Sequence, residues 1–303
     1  MNSGQELDID LMEPLAQNRR IFTWVCTAIA FTLSVIALVP LFSLTWEILS
    51  QGLNRLSWAT LTGLPAPVDL STDTGFVRNQ TGGFAHAILG TLYLVGMASV
   101  VSLPLGIMTG IFLSEFARNR AYGYIIRFVI TVLSSVPSVI MGVFAYGLII
   151  LQGWTKFSAI AGSFALMCTM LPIVSLTTEE ALKIVPQSYR LAAAGLGAPK
   201  FYRVLRTVVP VAVPGITTGS LLAISRASGE TAPLIFTSLS TQFWPTGIFE
   251  PMPSLSVFIF NGSGSPFSSE REMAWSASFT LLFIVLTVNL LSRLLTRSRL
   301  KSR

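Results

Sequence analysis

Apolar runs alternate with polar segments along the whole chain, and the length of each run decides what it is. A helix needs about 20 apolar residues to cross the hydrocarbon layer of a bilayer. On that rule the sequence predicts membrane spans near 21–45, 85–112, 124–151, 157–178, 208–236 and 273–293. Between them lie a polar tail over 1–20, a Thr-, Gly- and Pro-rich stretch over 46–84, and a charged loop over 179–208. A Pro-, Gly- and Ser-rich stretch over 237–272 and a basic tail over 294–303 complete the chain. The expected fold is an all-α membrane protein of six transmembrane helices, with the first helix set before a core of five over 85–293. The run from Ile21 to Leu44 is too long for a signal-peptide core and has no small-x-small cleavage pattern, so it reads as an uncleaved first span. The stretch 46–84 is expected as ordered loop with short helices at most. Pro104 and Gly106, Pro137 and Gly142, and Pro210, Pro214 and Gly215 interrupt spans. Such breaks survive where neighbours or cavity water satisfy the freed backbone groups, and together they point to a bundle with a pathway through it.

Composition supports this picture. Only 11% of residues are charged and the mean hydropathy is +0.67, values outside the range of ordinary soluble domains. The net charge of +6 does not indicate nucleic acid, because the basic residues stand beside apolar spans rather than in aromatic-interleaved patches. With the amino terminus inside, 14 of the 20 Lys and Arg residues fall in inside segments. They are Arg19, Arg20, Arg118, Arg120, Lys183, Arg190, Lys200, Arg203, Arg206, Arg293, Arg297, Arg299, Lys301 and Arg303. Arg55, Arg78, Lys156 and Arg271 fall outside, while Arg127 and Arg226 lie in or at the edge of spans. That asymmetry predicts a multi-pass protein with both termini cytoplasmic. Cys26 and Cys168 sit in apolar spans as small hydrophobes. The single His86 has no Cys, Asp or His cluster near it, so no metal site is expected.

The segment 179–208 reads as two or three short interfacial helices. Thr177 and Glu180 fit a capping box, and Pro186 ends that turn. Ser188 suits the cap of a second helix through Leu196, with Gly197 just past its end. Pro199 suits the first position of a third helix, in which Phe201, Val204, Leu205 and Val208 recur at helical spacing. Two readings fit the residues: an amphipathic helix lying on anionic lipid, or a helix pair inserted into a groove of a soluble partner.

Arg226 and Glu230 are the chemistry-bearing residues of the fifth span. A charge at membrane depth costs roughly 2.5–3.5 kcal/mol on insertion scales. Four apart on a helix they share a face, but arginine before glutamate is the weaker order for an intrahelical bridge, which suggests partners elsewhere. The guanidinium fork suits the oxygens of a tetrahedral anion. The carboxylate can accept a hydrogen bond from the hydroxyl of a protonated phosphate, which sulfate lacks at neutral pH. Two roles stay open: a gate paired at rest and opened to an anion, or a structural ion pair binding helices together. Ser228, Thr231 and Ser138 carry hydroxyls along the same route, as do Thr217, Thr218, Ser220, Ser225, Ser134 and Ser135. There is no G-x-x-x-x-G-K-[ST] loop, so the chain does not bind ATP by that means, and no nucleophile–base–acid set marks an enzyme.

Ala192, Ala193, Gly197 and Pro210 fall on the spacing of the cytoplasmic EAA loop of ABC-importer permeases, which this stretch resembles. Leu191, Thr207 and Val209 stand where that pattern has Glu, Ile and Leu. Further matches run over Gly82 to Leu92, Leu103-Pro104-Leu105-Gly106-Ile107, Val136-Pro137-Ser138 and Glu179-Glu180-Ala181-Leu182. With Arg226-Ala227-Ser228-Gly229-Glu230-Thr231-Ala232-Pro233-Leu234, they are similar to the PstA type of phosphate-importer permease. The resemblance spans about 82–294. It implies a type I, MetI-like permease bundle in the bacterial inner membrane. Glu179, Glu180, Arg190, Ala192, Ala193, Gly197, Phe201 and Arg203 would then form the cytoplasmic coupling loop. The implied partners are a sister permease of PstC type, an ATPase dimer of PstB type that uses the ATP and Mg, and a periplasmic phosphate-binding protein of PstS type. The chain itself would bind no cofactor and carry out no hydrolysis. Sulfate, molybdate or phosphonate is the alternative substrate, and a passive anion channel the alternative class.

Overall fold

The computed structural model describes residues 17–54, 56–65 and 82–301, which form helices and their connections, the longest of these running over 236–254. The chain divides into two compact units, Met1–Leu49 and Ser50–Arg303. The first contains most of helix α1 (Gln17–Asn54). Hydroxyls along it, such as those of Thr27 and Thr32, donate to carbonyls one turn earlier at 2.8 Å. This satisfies them without water, as hydrocarbon requires.

The second unit is a helical bundle. A short helix, α2 (Trp58–Thr62), is capped by Ser57. It precedes α3 (Ala85–Ile111), which continues into a π turn over Phe112–Phe116. There follow α4 (Ala121–Ser135) and α5 (Ser138–Ala145), the latter ending in a π turn over Tyr146–Ile150. Next come α6 (Ala159–Ile184), α7 (Gln187–Gly195) and α8 (Lys200–Arg203). A π turn over Val204–Val208 joins α8 to α9 (Val209–Gly229). The chain closes with α10 (Ala232–Ile235), α11 (Leu255–Ser263) and α12 (Ser268–Lys301).

Among the described residues five helices are long and apolar enough to span a membrane, and six spans result if the bent pair α4–α5 is counted as one. That pair departs from the single span expected over 124–151, because it bends by 103°. Pro137 supplies no N–H and drives Val136 before it into extended backbone, with ψ 130°. The span expected over 157–178 runs on to Ile184, so Thr177 caps nothing. Its hydroxyl donates to the Ile173 carbonyl at 2.8 Å inside a continuous helix. Ser188 likewise lies within the first turn of α7, whose cap position is Pro186. The span expected over 208–236 instead starts at Lys200 and stops at Gly229. Pro233 would clash with the Gly229 carbonyl if the helix continued, so Glu230 turns extended, with ψ 122°. The stretch 237–272 holds more helix than its composition suggests, since Ser254 caps α11 and α12 begins at Ser268. Of the loop expected over 46–84, residues 55 and 66–81 lie outside the described residues. Its described start belongs to the end of α1 and to α2.

Small residues set how the central helices pack. Ser102 of α3 meets Met170 of α6 at 3.7 Å. Gly106 lies against Val174 and Gly110 against Thr178, one and two turns further on in both helices. The two helices therefore run parallel in fixed register. On an adjoining strip of α6, Thr177 lies against Gly219 and Ala181 against Gly215, so α9 runs antiparallel to it. Each contact uses a G-x-x-x-G pair, Gly106/Gly110 and Gly215/Gly219, which lets backbones approach where lipid offers no hydrophobic driving force. A Cβ at Gly110 would stand 2.6 Å from Thr178 Cβ and 2.7 Å from the Ser175 carbonyl. Gly110→Leu is expected to destabilise the bundle by about 1–3 kcal/mol. Gly96→Leu is the control, since nothing stands within 4 Å of its Cβ position on the same helix. The midpoint of SDS unfolding in mild micelles reads the difference, and equal losses at both positions would refute the packing account.

Candidate functional site

Two constellations carry the bundle's charges. The first is the interruption after α9. Ala223 and Ala227, on either side of Arg226, are buried with Met170 and Val174 in the central apolar cluster. Met170 lies near the middle of α6, so Arg226 stands at mid-bundle depth. Its side chain is 57% exposed, while that of Glu230 is only 13% exposed. Nε of Arg226 donates to Oε1 of Glu230 at 3.2 Å. The weak order for an intrahelical pair does not apply here, because Glu230 has left the helix and its carboxylate is free to swing back onto Arg226. Two contacts hold the break. Ser256 donates to the Glu230 carbonyl at 2.9 Å, and a Cβ on Gly142 of α5 would stand 2.6 Å from Pro233 Cα. Ser228 is buried and donates to the Ile224 carbonyl at 2.9 Å, and Thr231 lies half-buried in the break itself. Ser138 heads α5, one turn before Gly142, at the elbow with α4.

The second constellation gathers at the basic end, where α3 and α6 finish and α7 to α9 begin. Glu179 is 1% exposed. Its carboxylate accepts Nη2 of Arg127 at 2.6 Å and Nε at 3.1 Å, and pairs with Lys183 at 2.8 Å. Arg190 of α7 reaches Glu115 in the π turn that ends α3, at 2.7 Å. Glu179 and Arg190 thus turn inward and are engaged within the chain. The outward surface is formed by Glu180, Ala192, Phe201 and the apolar Ile184, Leu191 and Leu196, the last 88% exposed. Ala193 is buried and Arg203 half-buried. Gly197 takes φ +77° just past α7, where a left-handed residue ends the helix. Lys200 lies over the Phe116 ring, 5.1 Å from its centroid.

Sequence reasoning gave Arg127 no role and passed over Glu115. The signal was present in both cases. A charge inside an apolar run needs a partner, and Glu115 and Arg127 flank the turn between two spans.

An apolar cavity of about 200 Å³ lies beside α9, lined by residues of α3, α9, α11 and α12. The Ser225 hydroxyl at its edge accepts from Asn289 at 2.7 Å, so the cavity offers little to an anion. Among the described residues no three His, Cys, Asp or Glu side chains are placed to share a metal ion.

Comparison with known proteins identifies the family to which such a bundle belongs. Residues 102–301 match the family described as the binding-protein-dependent transport system inner membrane component. The chain is 39% identical over 271 residues to the phosphate transport system permease protein PstA of Yersinia pestis, covering 88% of each chain. It is 38% identical over 248 residues to that of Haemophilus influenzae, covering 80% of this chain and 88% of the relative. In fold it resembles a bacterial ABC transporter involved in the import of the acidic polysaccharide alginate. There the TM-score is 0.60 at 14% identity, over 92% of this chain and 99% of the other. The bundle is thus that of an ABC-importer permease, and the chain belongs to the binding-protein-dependent transport system inner membrane components, among the permeases of PstA type.

Proposed function

We propose that this chain is a membrane-spanning subunit of an ATP-driven inorganic phosphate importer. It forms the translocation path with a sister permease and is driven by a separate ATPase through the 179–208 segment. The observation that carries the reading is the exposure of Arg226 at mid-bundle depth. A guanidinium there cannot face hydrocarbon without a cost of roughly 2.5–3.5 kcal/mol on insertion scales. That face is therefore turned to a hydrated passage or to a second polypeptide. Glu230 neutralises the arginine at rest. A protonated phosphate can replace the pair, with its oxygens on the guanidinium fork and its hydroxyl donating to the carboxylate. The relatives named above, phosphate transport permeases, support the choice of anion. The basic end faces the cytoplasm, following the asymmetry of Lys and Arg. There the exposed Leu191, Leu196 and Phe201 offer an apolar surface to a groove in the ATPase.

The test is ATP-dependent uptake of labelled phosphate by the complete complex in proteoliposomes, with and without excess sulfate. Uptake that needs ATP and resists sulfate is the expected result. Equal competition by sulfate would point to a general oxyanion permease, and uptake without ATP to a passive channel.

A further inference from the structure

We propose that Arg190, held by Glu115, is the positioning residue that makes α7 move as one body with the ends of α3 and α6. The inference rests on the coupling role given above to the 179–208 segment, and it names the part that transmits the movement. Helix α7 is poorly anchored by its fold. It lies between two non-helical joints, Val185–Pro186, with ψ of 122° and 143°, and Gly197, at φ +77°. Of its described residues only Ala193 is buried. Left to these contacts, a push on its exposed face would swing it about both joints and reach the bundle weakened.

Arg190 closes that freedom. Its Nε and Nη2 donate to Oε1 of Glu115 at 3.2 and 2.7 Å. Its Nη1 donates to the Val185 carbonyl at 2.6 Å, and its Nη2 also to the Leu182 carbonyl at 2.8 Å. One planar group thus joins three elements: α7, the π turn ending α3, and the last turn of α6. These are charge-assisted, partly buried bonds in a fork geometry that lysine cannot reproduce. A second tie continues the path. Arg127 and Glu179 bind α4 to α6 at 2.6 Å, and α4 leads to the elbow at Ser138. The register of α6 with α9 then leads to Arg226.

The experiment uses the complete complex, with Cys26→Ala and Cys168→Ala and spin labels on Arg118→Cys and Ala194→Cys, both exposed in the chain. In the parent complex the distance between the labels should stay the same with and without trapped nucleotide. In Glu115→Gln and Arg190→Lys it should broaden or shift, and phosphate moved per ATP hydrolysed should fall about tenfold, a coupling loss within the usual range. The exchanged pair Glu115→Arg with Arg190→Glu should recover part of both. A change in label distance in the parent complex, or parent values in all variants, would overturn the proposal. A fixed distance that loosens in the variants, in a complex whose ATP-driven uptake does not include phosphate, would uphold the strut while refuting the phosphate reading.

Discussion

Arg226→Gln is expected to lower ATP-dependent phosphate uptake by about 10- to 100-fold, the equivalent of one charge-assisted bidentate contact of about 1.5–3 kcal/mol. Chain level in the membrane should be unchanged. The reason is local. Arg226 is largely exposed and its partner Glu230 is reached through one bond at 3.2 Å, so its loss removes little packing from the folded chain. Glu230→Gln should impair uptake less, because glutamine still accepts a hydrogen bond from a protonated phosphate but no longer neutralises the arginine at rest. Proteoliposome uptake at phosphate below saturation measures both. Normal uptake by both variants would end the idea of a gate and leave the pair a structural one. The order of the two effects also matters. A larger defect for Glu230→Gln would place the carboxylate, rather than the guanidinium, in contact with the anion.

Arg127→Ala is expected to cost about 3 kcal/mol of stability, because it leaves the buried Glu179 carboxylate without its bidentate partner. Lys183→Ala should cost less than about 1 kcal/mol, since the Lys183 side chain is 45% exposed and such pairs are weak. Both residues bind the same oxygen, at 2.6 and 2.8 Å, so distance alone would rank them as equals. Desolvation separates them. SDS unfolding of the purified chain should show the two variants well apart, and similar shifts would mean that Glu179 is more hydrated than its burial implies. A glutamine at 179 should behave differently from either. It removes the carboxylate's desolvation cost while leaving Arg127, which is 27% exposed, in contact with water.

These results would also test how far a linear reading reaches. Hydrophobic run length alone determined that the chain is a helical membrane protein and roughly where each span lies, because a bilayer demands about 20 apolar residues per crossing. Motif spacing marked the 179–208 segment through Gly197 and the charged pair through Arg226 and Glu230, since each rests on residues close together in the chain. The two G-x-x-x-G pairs were legible too, although nothing in the linear pattern says which helix each one meets.

Tertiary structure alone decided which charges look inward. Glu115 and Arg190 are 75 residues apart, and Arg127 and Glu179 are 52 apart. Those distances along the chain close only when α6 is laid parallel to α3 and against α4. The same packing turned Glu179 and Arg190 from surface candidates into internal ties. It also left the apolar Leu191 and Leu196 facing outward. Local backbone chemistry placed the breaks at Pro137 and Pro233, but depth is a property of the assembled bundle. That Arg226 stands level with Met170, in the middle of the bundle rather than at its rim, follows only from the register of α6 with α9. The physical reason is that local sequence governs where a helix stops, while the close approach of glycines on facing helices governs what it stops beside.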